Sequence, residues 1–307
     1  MSQYDLVAAT DKWITRAPVV IPTPSNHYYP SEASVQVTDS SGDTQTLGTC
    51  IRRAYFRVTL PYGEGEAPSA RSEYIFAQGK IIENWLVEQW KQMGIYIANS
   101  VRFQIPEYNV SGELDVILRE PDPPVGDGLQ YITEIKTFYN YQATKDIMGN
   151  KTIAGHPKNE HLLQTLVYLY AFRDQFKHAK LFYFARDNPT NRRAFRIELR
   201  KEGEIYWPVV DGQVQKDFSV NQVLERYQKL DSYIQKKEIP PNDYELVYSD
   251  ERVEKEWAKG NLGKTRYEEW TRRKKKGKPI VEPFGDWECS YCFAKSICWG
   301  SSEVSNP

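Results

Sequence analysis

GELDVILREPDPPVGDGLQYITEIKT, residues 112–137, sets the fold class. Leu114 to Leu118 is a short apolar run, EPDPPVGDG (120–128) is a polar Pro/Gly/Asp loop, and QYITEIKT has the character of a second strand. Along that second strand side chains alternate faces, so Glu134 and Lys136 share one surface while Ile135 points into the core. Asp115 sits among apolar neighbours on the first strand, where a charge needs a partner or a function.

On either side the pattern continues. Ile81, Ile82, Trp85, Leu86, Trp90 and Met93 recur at helical spacing from Gly79, and Gly94 follows as a stop, which predicts a helix with a buried face. Val101, Phe103 and Ile105 alternate as a strand does. Residues 158–175 return to helical periodicity, and KLFYFAR and RAFRIEL around DNPTNR predict an antiparallel hairpin. A further amphipathic helix is expected from Ser219 to Lys237, ending before Pro240 and Pro241. This order predicts an α/β or α+β layer fold around a mixed central sheet, and of the two an α/β sheet flanked by helices is the expectation. Three parts are expected: an irregular segment over 1–49, a core over 50–240, and over 241–307 a charged helical appendage that carries the cysteines back to Cys50.

The chain has 307 residues and a formal net charge of -1, with a pI near 6.5 and a mean hydropathy of -0.64. No apolar run approaches the ~20 residues of a membrane-spanning helix, and MSQYDLVAATDKW lacks the basic and apolar parts of a secretory leader. A cytoplasmic, non-membrane protein is the expectation. No global positive field marks a nucleic-acid partner, so any such binding is local. The basic run Arg272, Arg273, Lys274, Lys275, Lys276 and Lys278 is either a solvated segment or a phosphate contact.

Two neighbouring carboxylates, Asp115 and Glu134, form a hard oxygen site suited to Mg²⁺ or Mn²⁺. Lys136 beside them can orient or help deprotonate a water and stabilise charge developing on phosphate oxygens. A plain cross-strand ion pair fits the same spacing. Four cysteines occur: Cys289, Cys292 and Cys298 cluster near the C-terminus, and Cys50 stands alone. Together they can close a four-thiolate site joining the two ends of the chain, and zinc and iron-sulfur chemistry both fit it. A redox C-x-x-C pair lacks the βαβ context it needs.

The Asp, hairpin, Glu-x-Lys arrangement resembles the PD-(D/E)xK nucleases. Two flanking motifs point to the RecB-like branch, which includes AddB-type and CRISPR-associated iron-sulfur nucleases. One is Gly79-Lys-Ile-Ile-Glu83, at the place of an upstream metal ligand, with Glu83 where many members have His. The other is Gln164-Thr-Leu-Val-Tyr168, matching Q-x-x-x-Y; on a helical wheel His161, Gln164 and Tyr168 lie opposite the apolar face and are expected to contact DNA. Cys50-Ile-Arg52 with Trp287 to Cys298 is similar to the iron-sulfur pattern of that branch. The resemblance implies a restriction-endonuclease-like core, a [4Fe-4S] cluster rather than zinc, and Mg²⁺ or Mn²⁺ held by Glu83, Asp115, Glu134 and the Ile135 carbonyl. It also implies hydrolysis of single-stranded DNA or DNA ends, the reaction of an exonuclease leaving 5′-phosphates, with a homo-oligomer or recombination and repair proteins as the expected partners. A non-catalytic DNA-binding or assembly subunit of the same fold, and an RNA-directed nuclease, are the alternatives.

Overall fold

The computed structural model describes residues 7, 10–12, 27–39, 42–60, 69–120, 129–150, 152–278 and 284–300. Two sheets form among them. A two-stranded hairpin pairs β1 (Ser34–Thr38) with β2 (Thr44–Gly48). The central sheet holds seven strands in sequence order: β3 (Tyr96–Ile105), β4 (Val110–Arg119), β5 (Gln130–Phe138), β6 (His178–Ala185), β7 (Arg192–Glu202), β8 (Ile205–Val210) and β9 (Gln213–Val214). Only the β5–β6 pair is parallel, so this is a mixed α/β sheet. A parallel neighbour needs a crossover, which α3 (Tyr141–Met148) and α4 (Asn159–Ala171) supply.

The sheet is covered on both faces. Val116, Leu118, Tyr131 and Ile135 pack with Leu86, Val87 and Trp90 of α2 (Ala70–Gln92). On the other face Ile117, Ile132 and Phe138 join Leu162, Leu163, Leu166 and Val167 of α4 and the buried stripe of α5 (Val220–Lys236). Ser219 and Gln222 close a capping box at the start of α5. Helix α2 begins nine residues before Gly79, because Ser69 caps it by accepting a bond from the Ser72 amide at 3.2 Å. Its buried face is narrower than the periodicity suggested: Ile81, Trp85 and Met93 are exposed.

The segment expected to be irregular before residue 50 contributes to the core, with Tyr28, Ala33, Val35 and Val37 buried in the same cluster as α4. Alternation in Ser34–Thr38 is only five residues long and its pairing strand is polar, so the local signal is weak. Gly48 ends β2 with a φ of +90°, and a Cβ there would lie 2.3 Å from the Ala33 oxygen and 2.7 Å from Leu163. Glycine thus lets the hairpin lie directly on α4.

The chain after α5 folds as α6 (Asp250–Ala258) and α7 (Lys264–Lys275), with a small core of its own from Val253, Leu262, Trp270 and Phe284. Two short turns, α8 (Trp287–Ser290) and α9 (Lys295–Trp299), then return to the main body, where Ala294 is buried in the principal core. Among the described residues no helix is long and apolar enough to cross a membrane. The connection 121–128 lies outside the described residues.

Candidate active site and cysteine centre

The β4–β5 register faces Val116 with Thr133 and Ile117 with Ile132, and one step further sets Asp115 beside Glu134. Directly opposed residues project to the same side of a sheet, here the side covered by α4. Asp115 Oδ2 accepts the Ile135 amide at 2.8 Å. Lys136 Nζ stands 2.6 Å from Glu134 Oε1. Lys136 is thus the partner of Oε1, while Oε2 of Glu134, a residue only 1% exposed, is buried with no hydrogen-bond or ion-pair partner among the described residues. Such a carboxylate is costly unless something further satisfies it.

The electrostatics follow from this enclosure. Burial first, then the neighbouring Glu134, pushes the Asp115 carboxyl well above its ordinary value. For Lys136 burial is the largest single influence and acts downward, but Glu134 and Asp115 together outweigh it, so the amine is held as an ammonium. The Glu134 and Lys136 charges therefore balance while Asp115 keeps its proton, and ionising Asp115 would leave a second buried carboxylate without a counter-charge. A divalent cation could take the place of that proton, and the hard oxygen donors suit Mg²⁺ or Mn²⁺.

Glu83 lies on α2 with its carboxylate paired to Lys80 Nζ at 2.6 Å. It is near enough to act on Asp115 electrostatically. Among the described residues, however, no three His, Cys, Asp or Glu side chains are arranged to hold a metal ion, so the expected three-carboxylate set is not assembled as the side chains stand.

The face of α4 opposite its leucines is not free. Gln164 and Tyr168 are buried, and the Gln164 amide donates to the Tyr168 hydroxyl at 2.6 Å. Burial first, then Glu134, raises the Tyr168 phenol, which places that side of the helix towards the carboxylates. The helical wheel separated the faces correctly but not their environments, since α4 is enclosed almost all round. The open contact with DNA expected of Gln164 and Tyr168 becomes a mutual buried pair. Only His161, partly exposed, keeps access to solvent.

Tyr183, which no motif marked, sits opposite Lys136 in the β5–β6 register and is fully buried. Its hydroxyl accepts the Lys158 amide at 3.0 Å and lies 2.9 Å from His161 Nδ1. In sequence it is one more aromatic residue in an apolar strand.

No protein-family model matches this chain, and no curated protein matches it. The chemistry rests on its own residues.

The four cysteines meet at one small cavity, lined also by Arg52, Tyr244 and Glu288. Cys50 immediately precedes α1 (Ile51–Thr59) without a side-chain capping bond, Cys289 lies in α8, Cys292 follows it, and Cys298 lies in α9. Burial first, then Cys50, Asp286, Cys292 and Cys298, pushes the Cys289 thiol up to about 12. Burial likewise raises Cys50. Arg52 Nη1 donates to Cys298 Sγ at 3.4 Å. Four sulfurs on one cavity are a soft donor set that fits zinc or an iron-sulfur cluster, although as placed no three of them form a ready metal cage.

What brings the ends together is Asp243. Its Oδ2 accepts the Ile51 amide at 2.7 Å and Arg226 Nη2 at 2.6 Å, and its Oδ1 accepts Thr46 Oγ1 at 3.0 Å. Tyr244 adds a bond from its hydroxyl to the Gly48 carbonyl at 2.6 Å. Asp243 follows Pro-Pro-Asn in a segment without periodicity, so nothing local marks it.

Proposed function

We propose that the chain is a divalent-metal-dependent deoxyribonuclease of the PD-(D/E)xK type, RecB-like branch, acting on single-stranded DNA or DNA ends. The observation that carries the reading is Glu134: a buried carboxylate with Lys136 on one oxygen, nothing on the other, and Asp115 beside it on one face of adjacent strands. A buried ion pair serving structure alone is favoured by hydrogen bonds to its remaining oxygen and by the absence of a second carboxylate against it.

Asp115 and Glu134, with the Ile135 carbonyl, would hold the Mg²⁺ or Mn²⁺; Glu83 would join only by leaving Lys80. When bound, the cation would lower the pKa of a water and screen phosphate charge. Lys136, kept protonated, serves as a fixed positive charge towards phosphate oxygens and the attacking water rather than as the base that deprotonates it. Gln164 and Tyr168 hold the wall behind the carboxylates. Cys50, Cys289, Cys292 and Cys298 would hold a structural [4Fe-4S] cluster, with zinc as the alternative for the same sulfurs.

DNA as substrate is supported by a second feature. Arg272, Arg273, Lys276 and Lys278 line a surface concavity of about 220 Å³ with Glu269. Glu269 pairs with Arg273, while Arg272, Lys276 and Lys278 have no ion-pair partner among the described residues. Such a cluster suits a polyanion.

The test is cleavage of end-labelled single- and double-stranded DNA with Mg²⁺, Mn²⁺ or EDTA. Parent protein should cut in a metal-dependent way, and Glu134→Ala and Lys136→Ala should each lose at least about 100-fold, the scale of removing a group that stabilises developing charge. Variants that cut as fast as the parent would end the proposal.

A further inference from the structure

Resting on that reading of the site, we infer that Tyr183 fixes His161 as a neutral imidazole with its proton on Nε2, offered to a non-bridging phosphate oxygen beside Lys136. The argument is one of donor and acceptor counting. The Tyr183 hydroxyl has one proton and accepts the Lys158 amide. Its other partner among the described residues is His161 Nδ1. Were Nδ1 to carry the imidazole proton, both neighbours would donate to the phenol oxygen, and the phenol proton would be left in a fully buried position with nothing to bond. The satisfied arrangement has the phenol donating to Nδ1, which moves the imidazole proton to Nε2.

Position supports the same conclusion. His161 and Tyr168 are seven residues apart on α4, two turns along one side of the helix, and that side faces Glu134 and Lys136. Nε2 has no hydrogen-bond partner among the described residues, and His161 as a residue is only part-buried, which leaves that nitrogen for an incoming oxygen. Burial first, then the Lys136 and Lys158 ammonium groups, keeps the ring from charging. A neutral donor adds a second hydrogen bond next to Lys136 without adding repulsion between cations. Tyr183 is thus a positioning residue, and His161 is the group that meets substrate.

The chain has four histidines, few enough for a ¹⁵N-resolved imidazole spectrum of the full-length protein, with His161→Ala used to assign the signal. The parent should show the Nε2–H tautomer at neutral pH, and Tyr183→Phe should show a mixture of tautomers. An Nδ1–H tautomer or an imidazolium in the parent overturns the inference. In DNA cleavage His161→Ala should lose about tenfold or more, the worth of one hydrogen bond to a charged group, with His161→Gln recovering part because its amide can donate. Equal rates for parent and His161→Ala remove the phosphate contact. A parent that cuts no DNA with either metal sinks the nuclease reading and the phosphate contact with it, while the spectrum still decides the tautomer.

Discussion

At the scale of single residues, the site holds charge the fold does not want. Asp115 is raised by burial and by Glu134, so the folded chain retains a proton that the unfolded chain releases. Its favourable contribution is complete below about pH 4, the unfolded value, and is lost as pH rises through the higher folded value. Asp115→Asn should therefore raise the thermal midpoint at neutral pH, by about 2–4 °C per kcal/mol relieved, while DNA cleavage disappears. A variant less stable than the parent would show that Asp115 is a structural partner and not a strained functional group. His178 runs the opposite way. Burial first, then Arg196 and Lys180, holds it down to about 4, both ring nitrogens lack hydrogen bonds, and the ring stacks on Tyr131 at 5.0 Å. The unfolded chain takes up that proton first on acidification, so stability is full above about pH 6.5 and is lost as pH falls towards 4. His178→Phe should keep the stack and flatten this acid arm in urea titrations at pH 7, 6 and 5. Parallel losses in parent and variant would assign the arm to other groups.

At the scale of elements, α4 and α7 show how one amphipathic signal can end in two environments. Helix α4 is buried on its polar side as well, because β4 and β5 bring charged groups to meet it. Helix α7 keeps its polar side in water and gathers its cations in the last turn, where they also complement the helix dipole. If those cations meet DNA phosphates, replacing Arg272, Lys276 and Lys278 together with Ala should weaken single-stranded DNA binding in EDTA and reduce the slope of log affinity against log salt by about 2. The thermal midpoint should hardly move. An unchanged slope would return the run to the role of a solvated helix end. Strand alternation made β5 readable, since a two-residue period fixes faces without outside help. The β1–β2 hairpin and the short β8–β9 pair are too brief for periodicity to mark them.

At the scale of the whole molecule, the two ends are tied by Asp243 and by the cysteine cavity. Asp243 and Arg226 are both nearly inaccessible, so Asp243→Ala leaves a buried guanidinium without its counter-charge, and a loss of about 3–5 kcal/mol is expected in chemical denaturation. Cys289→Ser should lower the thermal midpoint as well and, in protein prepared without oxygen, remove the brown colour of an iron-sulfur cluster. An unchanged midpoint and unchanged colour would dismiss the metal clasp. Local periods in the sequence were enough to establish the mixed α/β architecture, the shared face of Glu134 and Lys136, and Asp115 on the strand before them, because alternation and helical spacing are properties of neighbouring residues. The burial of the Gln164 and Tyr168 side of α4, the partnership of Tyr183 with His161, and the meeting of Cys50 with the C-terminal cysteines through Asp243 came from the folded chain. Those features depend on which distant surfaces are pressed together and how much water is excluded between them, and no local spacing encodes that.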